Sequence, residues 1–211
     1  MQSNSRTAKM LKDDIEAQVA SARLGVVRMK DLIRQYSLTT FQAACAELLN
    51  YTERMMRQQI KAIPNGTYRA EGWCDDDGRN RNKKLPVKVA VKVKGDKVTV
   101  DLTGSADQVP TGYNVPFEGS TKVAVYCAFR SLLLDQAETE GYIPSNEGSF
   151  RPIEVIAPEG SIFNPKFPAA AEARFTQCNR VIDCIYRALA PVMPEKVTAG
   201  NSASLSFISY A

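Results

Sequence analysis

Polar residues suited to binding concentrate in the loops between residues 101 and 168. Gly112, Tyr113 and Asn114 lie in the loop that follows a strongly alternating segment. Glycine lets a ligand approach the backbone, and an asparagine amide can both donate and accept hydrogen bonds. Asn114 is therefore a candidate substrate-binding residue, although a purely structural loop fits the same residues. The sequence contains neither GxGxxG nor GxxxxGK[ST], which argues against a standard phosphate-binding loop.

Arg151 is the second candidate for substrate binding. Pro152 follows it, and this order predicts an extended backbone at Arg151. An arginine in that position can bind a carboxylate or a phosphate through two parallel hydrogen bonds. An ion pair with Glu147 or Glu154 explains the residue equally well, so both interpretations stay open.

A third group of candidates lies at the predicted start of the last helix. Arg174 stands just before that helix, while Asn179 and Asp183 are four residues apart and therefore share a face. A helix N-terminus attracts anions, and a neighbouring arginine supports that attraction. The pattern predicts substrate contacts at all three residues. The alternative is a polar helix face that is satisfied by its own side chains.

The chain contains no histidine, and this absence limits its chemistry. The sequence can supply neither a His-paired nucleophile nor an imidazole ligand for zinc. Acid–base catalysis would need carboxylates, a perturbed Cys or Lys, or a partner chain, so no catalytic residue can be named. We predict no metal at Asp75–Gly78, because it lacks the alternating acidic residues and distal Glu of a calcium loop. The segment Asp75–Gly78 is instead typical of a hairpin turn.

Composition excludes several classes of partner. The net charge is +4 and the basic residues are spread along the chain, so no nucleic acid is expected. No apolar segment approaches the roughly 18 residues of a membrane span, and the N-terminus lacks a signal core.

The five cysteines have no CxxC spacing, which predicts reduced, mostly buried thiols and a cytoplasmic location. Arg174 and Arg180 could favour the thiolate of Cys178, but we do not expect a nucleophile there.

Hydrophobic periodicity predicts the elements that hold these loops. Two helices fall within residues 1–65, joined near Tyr36–Thr39, and alternation then predicts strands that continue to about Leu102 with a tight turn at Gly95–Asp96. A helix follows over residues 120–134, presenting Val123, Cys127, Arg130 and Leu134, with Ser120 or Thr121 as its cap. The pattern then predicts a strand over 153–156, a helix over 175–189 and a strand over 202–210. The fold class is α+β: an N-terminal antiparallel helical hairpin over 1–65, then an antiparallel β-meander with mixed helices and short strands over 66–211.

Several segments resemble the hydantoinase B/oxoprolinase family, and they occur in order over nearly the whole chain. They are residues 13–18 with 25–28, Ile63–Tyr68, Val100–Ser105, Arg151–Val155 and Pro158–Pro168. Family subunits are more than twice as long, with His- and Asp-containing motifs before such a region and a Gly-rich portion after it. The resemblance implies an internal segment of a B-type subunit. The last predicted strand has no obvious following partner, which is simplest to explain if the chain is part of a longer protein; the alternative is that this strand pairs back onto the earlier meander.

The resemblance also implies an activity. The expected reaction is ATP-dependent ring opening of a cyclic amide such as hydantoin, 5-oxoproline or a lactam, in a cytoplasmic hetero-oligomer with a hydantoinase A-type subunit that handles ATP. A divalent metal would belong to the part of such a subunit that this chain lacks, and the chain alone is expected to be inactive. One alternative is a segment of an acetone- or acetophenone-type ketone carboxylase subunit. The other is a non-catalytic assembly or binding module.

Overall fold

The computed structural model describes residues 7–137 and 141–203. The chain divides into two units, residues 1–48 and 49–211. This division falls inside the second helix. The boundary that was predicted between residues 65 and 66 coincides with the change from helices to strands. Its role as a domain boundary stays a prediction.

The chain begins with two long helices, as predicted. Helix α1 spans Ala8–Tyr36 and helix α2 spans Leu38–Lys61, so that only Ser37 separates them. Ser37 adopts a left-handed φ of 69°, which interrupts the helix, and its Oγ accepts a hydrogen bond from the Thr40 amide (3.3 Å) at the start of α2. However, α1 buries none of its side chains. The apolar stripe that was expected to pack within a hairpin is therefore exposed.

A four-stranded mixed sheet follows, in the order β1-β2-β3-β4. Strands β1 (Gly66–Cys74), β2 (Leu85–Lys94) and β3 (Lys97–Asp101) form the predicted antiparallel meander. Its turn depends on Gly95, whose φ is 61° and whose amide donates to Asn65 Oδ1 (2.7 Å). The valines of β2 are buried while Lys88 and Lys92 are exposed, so one face of the sheet forms the core and the other faces solvent.

Strand β4 (Ile153–Ile156) pairs in parallel with β3, and this pairing needs a crossover. A π-helical turn (Phe117–Thr121) and helix α3 (Lys122–Leu133) lie within that connection. The predicted face of α3 is not the one that enters the core, because Val123 and Cys127 are exposed and Arg130 is only half-buried, although Leu134 just after the helix is buried. The buried face is formed instead by Ala124, Val125, Ala128, Phe129, Leu132 and Leu133. Two apolar stripes run along α3, and tertiary packing selects the one with the small alanines.

Helix α4 (Phe175–Leu189) has the predicted bounds and packs over β1 and β2 and against α3. A Cβ on Gly72 would lie 2.8 Å from Arg180 Cδ and 3.1 Å from Cys184 Sγ, so glycine at this position allows the helix to lie close to β1. The predicted last strand falls largely on residues 204–211, outside the described residues. Across the described ranges, no helix combines the length and the apolarity of a membrane span.

Candidate functional site

Asn114 is fully buried, and backbone groups occupy its amide. Its Oδ1 accepts from the Val109 amide (2.9 Å), and its Nδ2 donates to the carbonyls of Val109 (2.7 Å), Thr111 (3.1 Å) and Ala170 (2.9 Å). Asn114 thus connects its own loop to the segment that precedes α4. The geometry assigns it a positioning role, while its predicted contact with substrate stays a prediction.

Arg174 lies where that segment enters α4. The Ala173 amide donates to the Gly112 carbonyl (2.8 Å), which holds the entry in place. Arg174 Nε donates to Ser120 Oγ (2.8 Å), and its Nη1 donates to two backbone carbonyls just upstream (3.2 Å each). The guanidinium also lies over the Phe175 ring, 5.1 Å from its centroid. These contacts fix a positive charge between the π-helical turn and the first turn of α4.

This charge stands at a groove between α3 and α4 of about 360 Å³. Besides Arg174, Gly119 and Ser120, the groove is lined by Val123, Ala124, Cys127, Phe175, Cys178 and Ile182. Apolar walls with a few placed polar groups are typical of small-molecule sites, and the volume lies at the small end of their range. The groove suits a small ligand with an apolar or planar body and a carbonyl or anionic group that the guanidinium can bind. We call it the α3–α4 groove.

Asn179 and Asp183 do not line the α3–α4 groove with Arg174. Asp183 is buried and its Oδ2 accepts from Nη1 of Arg180 (3.0 Å), the arginine that packs on Gly72 of β1. Asn179 is half-buried, and no hydrogen-bond partner of its amide is found in the described part of the chain. The helical period explains the separation, since Cys178 and Ile182 occupy one face and Asp183 is turned about 100° from Ile182. Their roles in binding stay predictions.

Arg151 is also separate from the groove, and its predicted backbone was wrong. Its φ of −55° and ψ of −34° are helical. The short turn Glu147–Phe150 is capped by Asn146, whose side chain accepts from the Gly148 amide (2.9 Å), and the Arg151 amide continues that turn by donating to the Gly148 carbonyl (3.3 Å). These bonds override the preference imposed by the following proline.

The side chain of Arg151 forms the structural ion pair that was one of its two interpretations, but with a different partner. Its Nη1 donates to Glu53 Oε2 (3.0 Å) and to Asn50 Oδ1 (3.1 Å), both on α2. Arg151 lines another, more polar groove, where the rings of Tyr126 and Phe150 stack at 4.5 Å. Arg151 and Arg174 therefore belong to two different surfaces.

The acidic segment Asp75–Gly78 is a turn, as predicted. Asp77 Oδ1 accepts from the amides of Asn80 (2.6 Å) and Arg79 (2.9 Å), and its Oδ2 accepts from the Asn80 side chain (2.7 Å). The bond from the Asn80 amide, followed by the others, holds the pKa of Asp77 below its usual value. The turn itself thus satisfies this carboxylate. Over the residues that the structure describes, no group of three potential metal ligands is found.

All five cysteines are free, but they are less buried than predicted. Cys74 and Cys184 are buried and Cys178 is partly buried, whereas Cys45 and Cys127 are exposed. Burial raises the pKa of the Cys178 thiol to about 11, and the opposing charge of Arg174 does not compensate for it. Cys178 therefore lines the α3–α4 groove as a neutral thiol. The expected stabilisation of its thiolate by nearby arginines is smaller than the opposing effect of burial.

The sequence reasoning missed Ser120 and Phe175, the two side chains that hold Arg174. Ser120 was considered only as a helix cap. A signal was available, because Phe175, Cys178 and Ile182 form a second apolar stripe at helical spacing beside the stripe that enters the core. A helix that is apolar on two faces needs a second contact. Nothing in the sequence says that α3 supplies it.

Comparison with known proteins adds three findings. The family model described as Hydantoinase B/oxoprolinase matches residues 1–211. The B-type subunit of a putative D-/L-hydantoinase from Pseudomonas sp. (strain NS671) is 45% identical over 204 residues, which are 95% of this chain and 34% of that protein. The crystal structure of the ATP-dependent caprolactamase from Pseudomonas jessenii matches with a TM-score of 0.78 at 25% identity, over 92% of this chain and 32% of the other.

A nucleotide-free acetone carboxylase structure shares the fold alone, with a TM-score of 0.69 at 17% identity over 83% of this chain and 24% of that one. The chain thus spans about a third of the length of the hydantoinase protein that it matches.

Proposed function

The chain belongs to the hydantoinase B/oxoprolinase family, and from this premise we propose that it is part of the B-type subunit of an ATP-dependent cyclic-amide hydrolase. The observation that carries the proposal is the 45% identity to the B-type subunit of a putative hydantoinase along 95% of the chain. Hydantoins are therefore the leading substrates, followed by 5-oxoproline and lactams. ATP is handled by a hydantoinase A-type partner subunit in a cytoplasmic complex.

The α3–α4 groove is the part of this chain that suits such a substrate. A cyclic amide is small and nearly planar, and its carbonyl oxygens accept hydrogen bonds. The apolar walls can cover its ring while Arg174, fixed by Ser120 and Phe175, donates to a carbonyl.

In an ATP-dependent opening, a phosphoryl group transferred to the amide oxygen makes the carbon a better electrophile. Water then attacks that carbon and the ring C–N bond breaks, which frees the amine, protonated on nitrogen, and leaves an acyl phosphate. A second water hydrolyses the acyl phosphate to a carboxylate and inorganic phosphate. The chain alone, which has no histidine, is proposed to be inactive.

A role in assembly is the second candidate function, and the exposed stripe of α1 favours it. Val19, Val26 and Met29 are 45%, 55% and 52% exposed, although their spacing is that of a helix face made to be buried. The two functions are compatible, since a catalytic subunit also assembles. Ketone carboxylation has weaker support, because the acetone carboxylase likeness is one of fold.

The test uses the whole subunit that contains this chain, purified in complex with its A-type partner. Product and ADP are measured with hydantoin, 5-oxoproline and caprolactam, and in a separate reaction with acetone and bicarbonate. We expect ring opening coupled to ATP hydrolysis, fastest with hydantoin. Carboxylation of acetone without opening of any cyclic amide would contradict the proposal.

The groove is tested in the same complex with two single variants. We expect Arg174→Gln to lower kcat/KM by about tenfold or more, the usual consequence of losing a charged hydrogen bond to a bound group. Arg187→Gln, the same substitution on the same helix but outside the groove lining, is the matched control and should keep the wild-type value. Equal activity of all three proteins would exclude the groove as the substrate site while leaving the family-based function intact.

A further inference from the structure

Strand β1 forms an edge of the sheet, and its outer side has no strand beside it among the described residues. Arg187 Nη1 donates to the Glu71 carbonyl (2.9 Å), which indicates that the backbone of Glu71 points away from β2. In an antiparallel ladder every second residue directs both backbone groups to the same side. Thr67, Arg69, Glu71 and Trp73 therefore present N–H and C=O groups along this edge.

The β1 edge lacks three of the usual protections against pairing. Natural edges are kept apart by prolines, bulges or short length, and also by charged side chains or covering segments. Arg187 covers this edge at one point, and its guanidinium must leave the Glu71 carbonyl for another strand to pair there. Strand β1 has nine residues, contains no proline and pairs with β2 in continuous register from Gly66 to Cys74. Such an edge is a template for another strand.

We propose that β1 pairs antiparallel with β1 of a second copy of this chain, about a two-fold axis at Ala70. In this register Arg69 lies opposite Glu71 of the second copy, and symmetry repeats the pair. Thr67 lies opposite Trp73, which is 47% exposed in the single chain. All four residues project from the solvent face of the sheet, and opposite charges or an aromatic beside a β-branched residue are favourable cross-strand pairs.

Charge also discriminates against the neighbouring registers. Only residues whose backbone groups point outward can form hydrogen bonds with the second copy. A change of register must therefore place each of these residues opposite another residue of the same set. One such step places Arg69 opposite Arg69 of the second copy, and the opposite step places Glu71 opposite Glu71. Like charges directly opposite each other are destabilising. The Ala70 axis is thus the register that β1 specifies for pairing with itself.

Another segment of the same polypeptide is the competing occupant of this edge. Arg180 packs on Gly72 of β1, and its Nη2 donates to the Ser202 carbonyl (3.3 Å), so the chain near residue 202 also runs close to β1. The two occupants differ in their dependence on concentration. Pairing between copies protects the edge amides only when dimers form, whereas a strand from the same polypeptide protects them at every concentration.

The experiment combines charge reversal with sedimentation equilibrium of the 211-residue chain. We expect the wild type to dimerise, and Arg69→Glu or Glu71→Arg alone to raise the dimer dissociation constant by about tenfold or more, because each places like charges opposite twice. An equimolar mixture of the two variants should dimerise again, as should the double variant. Lys92→Glu makes the same charge change as Arg69→Glu on the same face, but on β2, and should leave the dissociation constant unchanged.

Hydrogen exchange of the Arg69 and Glu71 amides is the second readout, and melting temperatures verify that each variant is folded. We expect protection that rises with concentration in step with dimerisation. The proposal is overturned by a monomeric wild type, by dimers that ignore the charge reversals, as association through α1 would, or by edge amides that are protected in the monomer.

Discussion

A single buried amide holds the entry to the candidate site, and its removal has a predictable cost. We expect Asn114→Ala to lower the free energy of unfolding by about 2–4 kcal/mol, because the change removes four hydrogen bonds and leaves buried carbonyls unsatisfied. Asn179→Ala should change it by at most about 0.5 kcal/mol. Urea unfolding of both variants measures the difference. A small effect at Asn114 would show that its loop is held by other contacts.

Thiol reactivity provides a residue-scale test of burial. Burial raises the pKa of Cys74, Cys178 and Cys184 to about 11, so all three are protonated near neutral pH. The thiolate is the reactive form. With iodoacetamide at about pH 8, we expect the exposed Cys45 and Cys127 to be alkylated well before the other three.

Peptide mass spectrometry reports the modified sites, and the urea-unfolded chain, in which all five should react at similar rates, is the control. Early labelling of Cys74 or Cys184 in the folded chain would contradict the packing of α4 on β1.

Arg151 illustrates what the sequence could and could not predict about single residues. Its type and its following proline were visible, and one of two interpretations, an ion pair, is correct. The partner, Glu53, lies 98 positions away and is brought close only when α2 packs beside the turn before β4. Candidates close in sequence were the natural choice. Long-range partners depend on tertiary packing that local patterns do not encode.

At the scale of elements, Glu53 connects α2 to two different parts of the sheet region. Its Oε1 lies 2.7 Å from Arg57 Nη2, and Arg57 Nη1 reaches Asp96 Oδ1 (3.2 Å) in the turn between β2 and β3. Its Oε2 accepts from Arg151 just before β4 (3.0 Å). Exposed ion pairs contribute little individually, but a shared carboxylate in a network is more effective.

This network predicts a dependence of stability on pH. Hydrogen bonds from Arg57 and then Arg151 hold the pKa of Glu53 below its ordinary value of 4.5. A lowered folded-state pKa gives stability that is present above pH 4.5 and is lost as the pH falls through the folded-state value. We expect the stability advantage of the wild type over Glu53→Gln to be constant from about pH 6 to 7 and to shrink below about pH 4.5. Urea unfolding at each pH measures it, and an advantage that does not shrink as the pH falls below about 4.5 would refute the role of Glu53.

Secondary-structure elements were predictable where one face of the helix or strand is buried and the opposite face is exposed to solvent. The alternation in β2 and the stripe of α4 led to correct strand and helix assignments, because periodicity records burial directly. The face of α3 was not predictable, since two apolar stripes compete along it. The parallel pairing of β4 was also missed, because strand order depends on a crossover and not on the pattern within a strand. The α3–α4 groove requires both of these features and could not be foreseen.

At the scale of the whole molecule, the core and the long first helix make separate contributions. Met56 and Ile60 of α2 are fully buried, whereas α1 has no buried side chain. Hydrophobic stabilisation is proportional to the apolar area removed from water. Helix α1 should therefore add little to the stability of the isolated chain, despite its 29 residues.

Truncation tests this division. We expect deletion of residues 1–36 to change the free energy of unfolding of the core by less than about 1 kcal/mol, because helix α1, which makes up most of the deleted segment, contributes no buried side chain. Deletion of residues 1–56 is the matched control. It also removes Met56, whose burial alone is worth about 2–5 kcal/mol, and the Glu53 network, so it should destabilise the core severely. Urea unfolding followed by near-ultraviolet circular dichroism reports on the core, where Trp73 and the tyrosines from Tyr68 onward remain in both deletions. A large loss from the shorter deletion would show that α1 supports the core, and its exposed stripe would then no longer favour an assembly surface.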